Sequence, residues 1–187
     1  VGSEMCIRDS DKVHPRIGII AKWIWSVYTG ITATLVGLLM LGGMSWFDSI
    51  CHAFATTGTG GFSTKQASIA YYHSPYIEYV ISTFMFISGI NFTLLLLLVN
   101  RKFKKAFHDV ELKWYFWSVI LFTGIIAAIL YYTSPMDAEE AFRKSLFQVT
   151  SLHTSTGFAT DDYMLWPSVT WGLLTIVMVI GACAGST

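Results

Sequence analysis

Two short runs in this chain have the residue types to strip water from a cation. Thr59, Gly60 and Gly61 form the first, and Ser155, Thr156 and Gly157 the second. Each belongs to a Thr/Ser-rich motif, Ala55 to Thr64 and Leu152 to Thr160, that contains the pair Gly61-Phe62 or Gly157-Phe158. Glycine reaches backbone dihedrals that other residues avoid, so its neighbours' carbonyls can be turned inward. Rings of such carbonyls replace the hydration shell of an alkali cation without any charged side chain. Each run lies in 16 consecutive uncharged residues, Ser49 to Thr64 and Ser145 to Thr160. Aligning Gly61 with Gly157 sets the two motifs 96 residues apart.

The elements that hold these runs follow from length. A membrane-spanning helix needs about 20 apolar residues, and a stretch shorter than that suits a re-entrant segment. Irregular backbone at membrane depth survives only inside protein or along a wet cavity. Short helices are expected over Phe47 to Thr57 and Ala138 to Leu152. Asp48, and Asp137 with Glu139 and Glu140, fall near their starts, where carboxylates favour a helix N-terminus. Their C-terminal dipole ends would then add negative potential for a cation. Four longer apolar runs flank them: Trp23 to Met44, Tyr79 to Asn100, Trp114 to Thr133 and Leu165 to Thr187. The expected fold is an all-α polytopic membrane protein, two span–pore helix–span repeats with re-entrant filter loops.

Composition agrees. Of 187 residues, 53% are hydrophobic and 13% charged, against roughly 25% charged in a soluble domain. Mean hydropathy is +0.54. Lys12, Arg16 and Lys22 precede the first span, and Arg101, Lys102, Lys104, Lys105 and Lys113 lie between the second and third. The positive-inside rule makes both segments cytoplasmic, so both short segments enter from the opposite face. Trp23, Trp25, Trp46, Trp114, Trp117 and Trp166 fall near span ends, as interfacial aromatics do. Cys6, Cys51 and Cys183 have neither disulfide nor zinc spacing. Residues 1–10 match nothing else in the chain and read as a non-native leader. The remaining divisions are a cytoplasmic segment (11–22), a first repeat (23–100), a basic loop (101–113) and a second repeat (114–187).

The motifs resemble one family. His52-Ala53-Phe54-Ala55-Thr56-Thr57-Gly58-Thr59-Gly60-Gly61-Phe62-Ser63-Thr64 is similar to the second pore loop of Trk-type potassium-uptake subunits. The run Phe147 to Thr160 resembles their third. Ile180-Gly181-Ala182-Cys183-Ala184-Gly185-Ser186-Thr187 resembles the start of their intramembrane gate loop and fits the Trk branch better than the related Ktr branch. The resemblance implies a potassium pore of four such repeats in the bacterial inner membrane, of which this chain holds the second and third. It implies filter glycines at Gly61 and Gly157, and a gate that includes Gly181, Gly185, Ser186 and Thr187. It further implies a homodimer with a cytosolic nucleotide-binding regulatory subunit (TrkA-like), potassium as the transported ion, no organic cofactor, no nucleic acid and no enzymatic activity.

Other readings predict different chemistry. A Ktr-type transporter lies nearby in transport. A two-span channel subunit would form a tetramer, for which two non-identical motifs in one chain are superfluous. His52 and His153 are candidate metal or haem ligands of a membrane enzyme, but they are not repeat-equivalent. Histidines that support short helices by hydrogen bonding are the simpler expectation. Asn91 is polar at mid-span and is expected to bond a neighbouring helix.

Overall fold

A computed structural model describes residues 3–90 and 110–184, with side chains described over 21–90 and, apart from Glu111, over 110–181. Among the described residues every regular element is helical. Helix α1 is Ser3–Leu41, α2 Trp46–Thr57, α3 Pro75–Ser88, α4 Val110–Thr133, α5 Ala138–His153 and α6 Ser168–Ala184. Short 3-10 turns occupy Ser68–Tyr72 and Tyr163–Leu165.

Local chemistry sets the turns. Gly43, at φ +91°, breaks α1 from α2. Gly42 lies against the Ile77 and Tyr76 side chains, where a Cβ would meet both at 3.0 Å. Ser45 then caps α2 by accepting the Asp48 amide at 3.2 Å, satisfying one of the orphan donors of a helix start. Asp137, in extended conformation, precedes α5 with Glu139 and Glu140 in its first turn. Pro75 opens α3, where its missing amide costs nothing.

The segments Ala21–Leu41 and Leu112–Thr133 are long and apolar enough to cross a membrane, yet only 17% and 22% of them is buried. Trp25, Trp114, Trp117, Leu121 and Tyr132 face outward. An apolar helix that leaves such side chains exposed is suited to lipid. The apolar stretch of α6, Ser168–Gly181, is shorter.

Two cores hold the helices. Leu35, Leu39, Ile77, Ile81 and Met85 pack with Phe147 and Phe158, so the first core includes residues from both halves. Val119, Ile126, Leu130, Val149, Leu174 and Val177 form the second. Polar contacts add a tie between halves. Arg143 on α5 pairs with Glu78 on α3 and with Glu139 at 3.0 Å, which in turn accepts from Tyr79 at 3.0 Å.

Several expectations from the sequence change. The second span was expected over Tyr79 to Asn100, but α3 begins at Pro75 and stops at Ser88. A Cβ on Gly89 would lie 2.6 Å from Thr154 Cγ2 and 2.7 Å from the Tyr115 hydroxyl, so tertiary crowding marks that point. Asn91 and the rest of that run lie outside the described residues, as does most of the basic loop. The fourth apolar run was expected from Leu165, but its helix, α6, starts at Ser168. Trp166 before Pro167 is held extended, as a residue preceding proline prefers. That conformation also removes Trp166 from the expected interfacial set, since its ring packs into the second core. The other five tryptophans assigned to span ends are all exposed. Helix α1 runs from Ser3, so the expected leader and the basic segment share one helix with the first span.

Candidate functional site

The two short helices end alike. Gly58 caps α2 by donating to Phe54 O at 2.9 Å, and Thr154 caps α5 by donating to Thr150 O at 3.0 Å. Thr59 then donates to Thr56 O at 3.2 Å and Ser155 to Leu152 O at 3.1 Å. The amides of Gly60 and Gly61 share Ala55 O (2.7 and 3.4 Å), and those of Thr156 and Gly157 share Ser151 O (2.8 and 3.3 Å). Donor for donor and acceptor for acceptor, the two sets keep the offset that separates Gly61 from Gly157.

Backbone conformation repeats as well. Thr59 (φ 48°) and Gly61 (φ 64°) are left-handed, as are Ser155 (φ 56°) and Gly157 (φ 84°). Gly60 and Thr156, between them, are not. In extended chain successive carbonyls alternate sides. Left-handed residues at every second position interrupt that alternation. Thr59 and Ser155 hold that conformation with a Cβ, at a cost of about 1–2 kcal/mol each. Such strain gathers at functional sites.

The loops touch. A Cβ on Gly61 would fall within the radius of the Thr156 carbonyl oxygen, whereas one on Gly157 meets nothing within 4 Å. All six residues expected to supply carbonyls therefore lie on two adjoining loops. The second loop is also latched to the first half. Ile69 donates to Ala159 O at 3.2 Å, and the Ala159 amide donates to Ser68 Oγ at 3.3 Å. Buried Ser151 donates to Phe158 O at 2.7 Å.

His52 and His153 have separate structural partners. His52 Nδ1 donates to Asp48 O at 2.7 Å, leaving Nε2 to accept from Ser63 Oγ at 2.9 Å. Its ring stacks on Phe158 at 5.9 Å. His153 stacks on Tyr115 at 5.0 Å, with Nε2 at 3.2 Å from Ser118 Oγ. Among the described residues no group of three or more His, Cys, Asp or Glu side chains is placed to hold a metal ion. Both histidines brace short helices in this structure. Gly181 on α6 is buried against the backbone of His153, at the C-terminal end of α5. Gly185, Ser186 and Thr187 lie outside the described residues.

A family model described as TrkH, cation transport protein, matches residues 8–187. The chain belongs to the TrkH family. TrkH-family relatives include the Trk system potassium uptake protein TrkH of Halomonas elongata, 35% identical over 182 residues, or 97% of this chain and 38% of that protein. The Escherichia coli K12 protein of the same name is 37% identical over 179 residues, covering 95% of this chain and 37% of its own. The crystal structure of the potassium transporter TrkH from Vibrio parahaemolyticus matches with a TM-score of 0.82 at 32% identity, over 87% of this chain and 36% of that one. The chain thus has the all-helical fold of a polytopic membrane protein of this family, and it spans less than two-fifths of the length of these relatives.

Some site residues escape sequence reasoning. Ser68 and Ile69 sit in a linker without motif, and only the folded chain brings them to Ala159. Ser151 was within reach: it stands at the offset position of Ala55, the acceptor in the first loop.

Proposed function

We propose that this chain supplies two neighbouring quarters of a potassium-conducting pore in a bacterial inner membrane. The reading rests chiefly on one observation. Two loops of identical hydrogen-bond register lie side by side, with Gly61 against the Thr156 carbonyl. Potassium sheds water against the carbonyls of Thr59, Gly60, Gly61, Ser155, Thr156 and Gly157. It then passes a constriction formed from Gly181, Gly185, Ser186 and Thr187. The C-terminal ends of α2 and α5 face the loops and favour a cation.

The contact between halves is head-to-tail, which supports a ring. Phe158 packs on His52 of the first half and is 0% exposed, while its counterpart Phe62 is 81% exposed. Gly61 meets the second loop, while its counterpart Gly157 meets nothing. Each half therefore offers one face to the half before it and the opposite face to the half after it. Repetition of such a heterologous contact closes a ring when the rotation allows. In this reading two further repeats complete the pore, a second copy completes a dimer, and a cytosolic nucleotide-binding subunit regulates it.

Growth at limiting potassium tests the reading, in a bacterium without its own uptake systems, carrying the complete reading frame. Rescue is expected, with Gly157→Ser lowering potassium-over-sodium discrimination. A well-expressed protein that gives no rescue with its regulator present defeats the transport reading, and unchanged discrimination removes Gly157 from the filter.

A further inference from the structure

The outer ends of the two loops show another correspondence, and it reverses charge. Asp48 lies in the first turn of α2, Lys65 just beyond the first loop, and their charged groups stand 3.7 Å apart. At the same 96-residue offset are Lys144 and Asp161. Lys144 is the seventh residue of α5, Asp161 lies just beyond the second loop, and their charged groups meet at 2.8 Å. The bridge is the same and its polarity is opposite. In both pairs the helix residue is the more buried partner.

Surrounding chemistry follows the reversal. Thr64 donates to Asp48 Oδ1 at 2.6 Å. Its counterpart Thr160 has a buried hydroxyl with no hydrogen-bond partner among the described residues; a lysine accepts nothing, so the bond from Thr64 to Asp48 has no equivalent in the second pair. Lys144 also pairs with Glu140, one turn earlier on α5, at 2.9 Å. The counterpart of Glu140 is Met44, and Asp48 needs no such neighbour.

We propose that the two ion pairs are loop clamps. Each ties the N-terminal half of a short helix to the exit of its own loop and fixes the spacing of the oxygens between. The role in ion selection rests on the pore reading above; the mechanical role does not. Asp48, Lys65, Lys144 and Asp161 are positioning residues and do not touch the ion. The lever is direct, because each clamp closes four residues past the central glycine of its loop. Small displacements at that distance change how well the oxygens replace water.

The test uses the full-length protein from the complete reading frame, in a Glu140→Gln background so that an acid at position 144 meets no repulsion there. Lys144→Asp and Asp161→Lys are made singly and together, with Asp161→Asn as a milder variant should a reversal fail to fold. Potassium-over-sodium uptake is expected to fall about 3- to 10-fold in each single variant, as expected for loss of a charged hydrogen bond. The double reversal, which copies the polarity of the first repeat, is expected to return it to within about twofold of the background. Amide exchange over residues 154–161 of the purified protein should quicken in the single variants and slow again in the double. A double reversal no better than the singles, or singles that change neither readout, overturns the proposal. Uptake by the unmutated protein separately reports the pore reading. If that uptake is absent, the selection role falls, and exchange alone decides whether the pairs fasten the loops.

Discussion

Gly61 presents its bare Cα to the carbonyl oxygen of Thr156, so the central glycine of one loop is the contact surface of the next. Two demands meet there. The backbone is left-handed at φ 64°, and the space for a side chain is taken by another segment's backbone. Gly157 meets only the first demand within this chain, at φ 84° with open space beside it.

This difference tests the ring. Gly61→Ala combines a left-handed penalty with overpacking and should cost about 2–5 kcal/mol. Taken alone, this chain predicts only the left-handed penalty, about 1–2 kcal/mol, for Gly157→Ala. A closed ring of repeats predicts parity, because Gly157 then meets a further loop. Thermal melting of both variants in the full-length protein decides between them. A Gly157→Ala protein that melts well above Gly61→Ala rules out the head-to-tail ring.

The Glu78–Arg143 pair makes a second prediction. Both side chains are largely buried, and Arg143 also holds Glu139 at 3.0 Å. Removing one partner of such a pair strands the other charge, at about 3–5 kcal/mol. Arg143→Met should therefore lower the melting temperature markedly. Arg143→Met with Glu78→Leu should recover most of the loss, since an apolar pair of similar volume is often neutral. A double variant as unstable as the single would show that the guanidinium serves through Glu139 instead.

Much of this arrangement is legible in sequence because it is local. The short helices, α2 and α5, begin and end within one residue of the expected positions. Ser45 and Asp137 mark their starts, and Gly58 and Thr154 their ends. The offset between Gly61 and Gly157 carries over to hydrogen bonds because the same residue classes recur at the same steps. What escapes is tertiary. The apolar run after Tyr79 continues to Leu98, so Gly89 is a weak local sign of the stop, and its crowding against Tyr115 and Thr154 appears only in the fold. Phe62 and Phe158 are the same residue in the same motif, and only position within the assembly makes one exposed and the other buried. The reversed ion pairs were visible as charges, but their partnership appears only when the loops close.

The last prediction concerns two glycines on one helix. Gly172 and Gly181 both lie in α6. A Cβ on Gly172 meets nothing within 4 Å, while one on Gly181 would collide with the carbonyl of His153. In a helix interior alanine is favoured over glycine by about 1 kcal/mol, so Gly172→Ala should leave the melting temperature unchanged or raise it. Gly181→Ala must push α6 away from the end of α5, and the overpacking should cost about 1–3 kcal/mol. His153 begins the turn that leads into Ser155, Thr156 and Gly157, so the displacement reaches the second loop. On the pore reading, Gly181→Ala in the full-length protein should therefore reduce ion uptake as well as stability, and Gly172→Ala neither. If Gly181→Ala melts normally but uptake falls, the glycine serves movement of α6 rather than close packing. If both variants behave as unmutated protein, the approach of α6 to His153 is not what holds the loop.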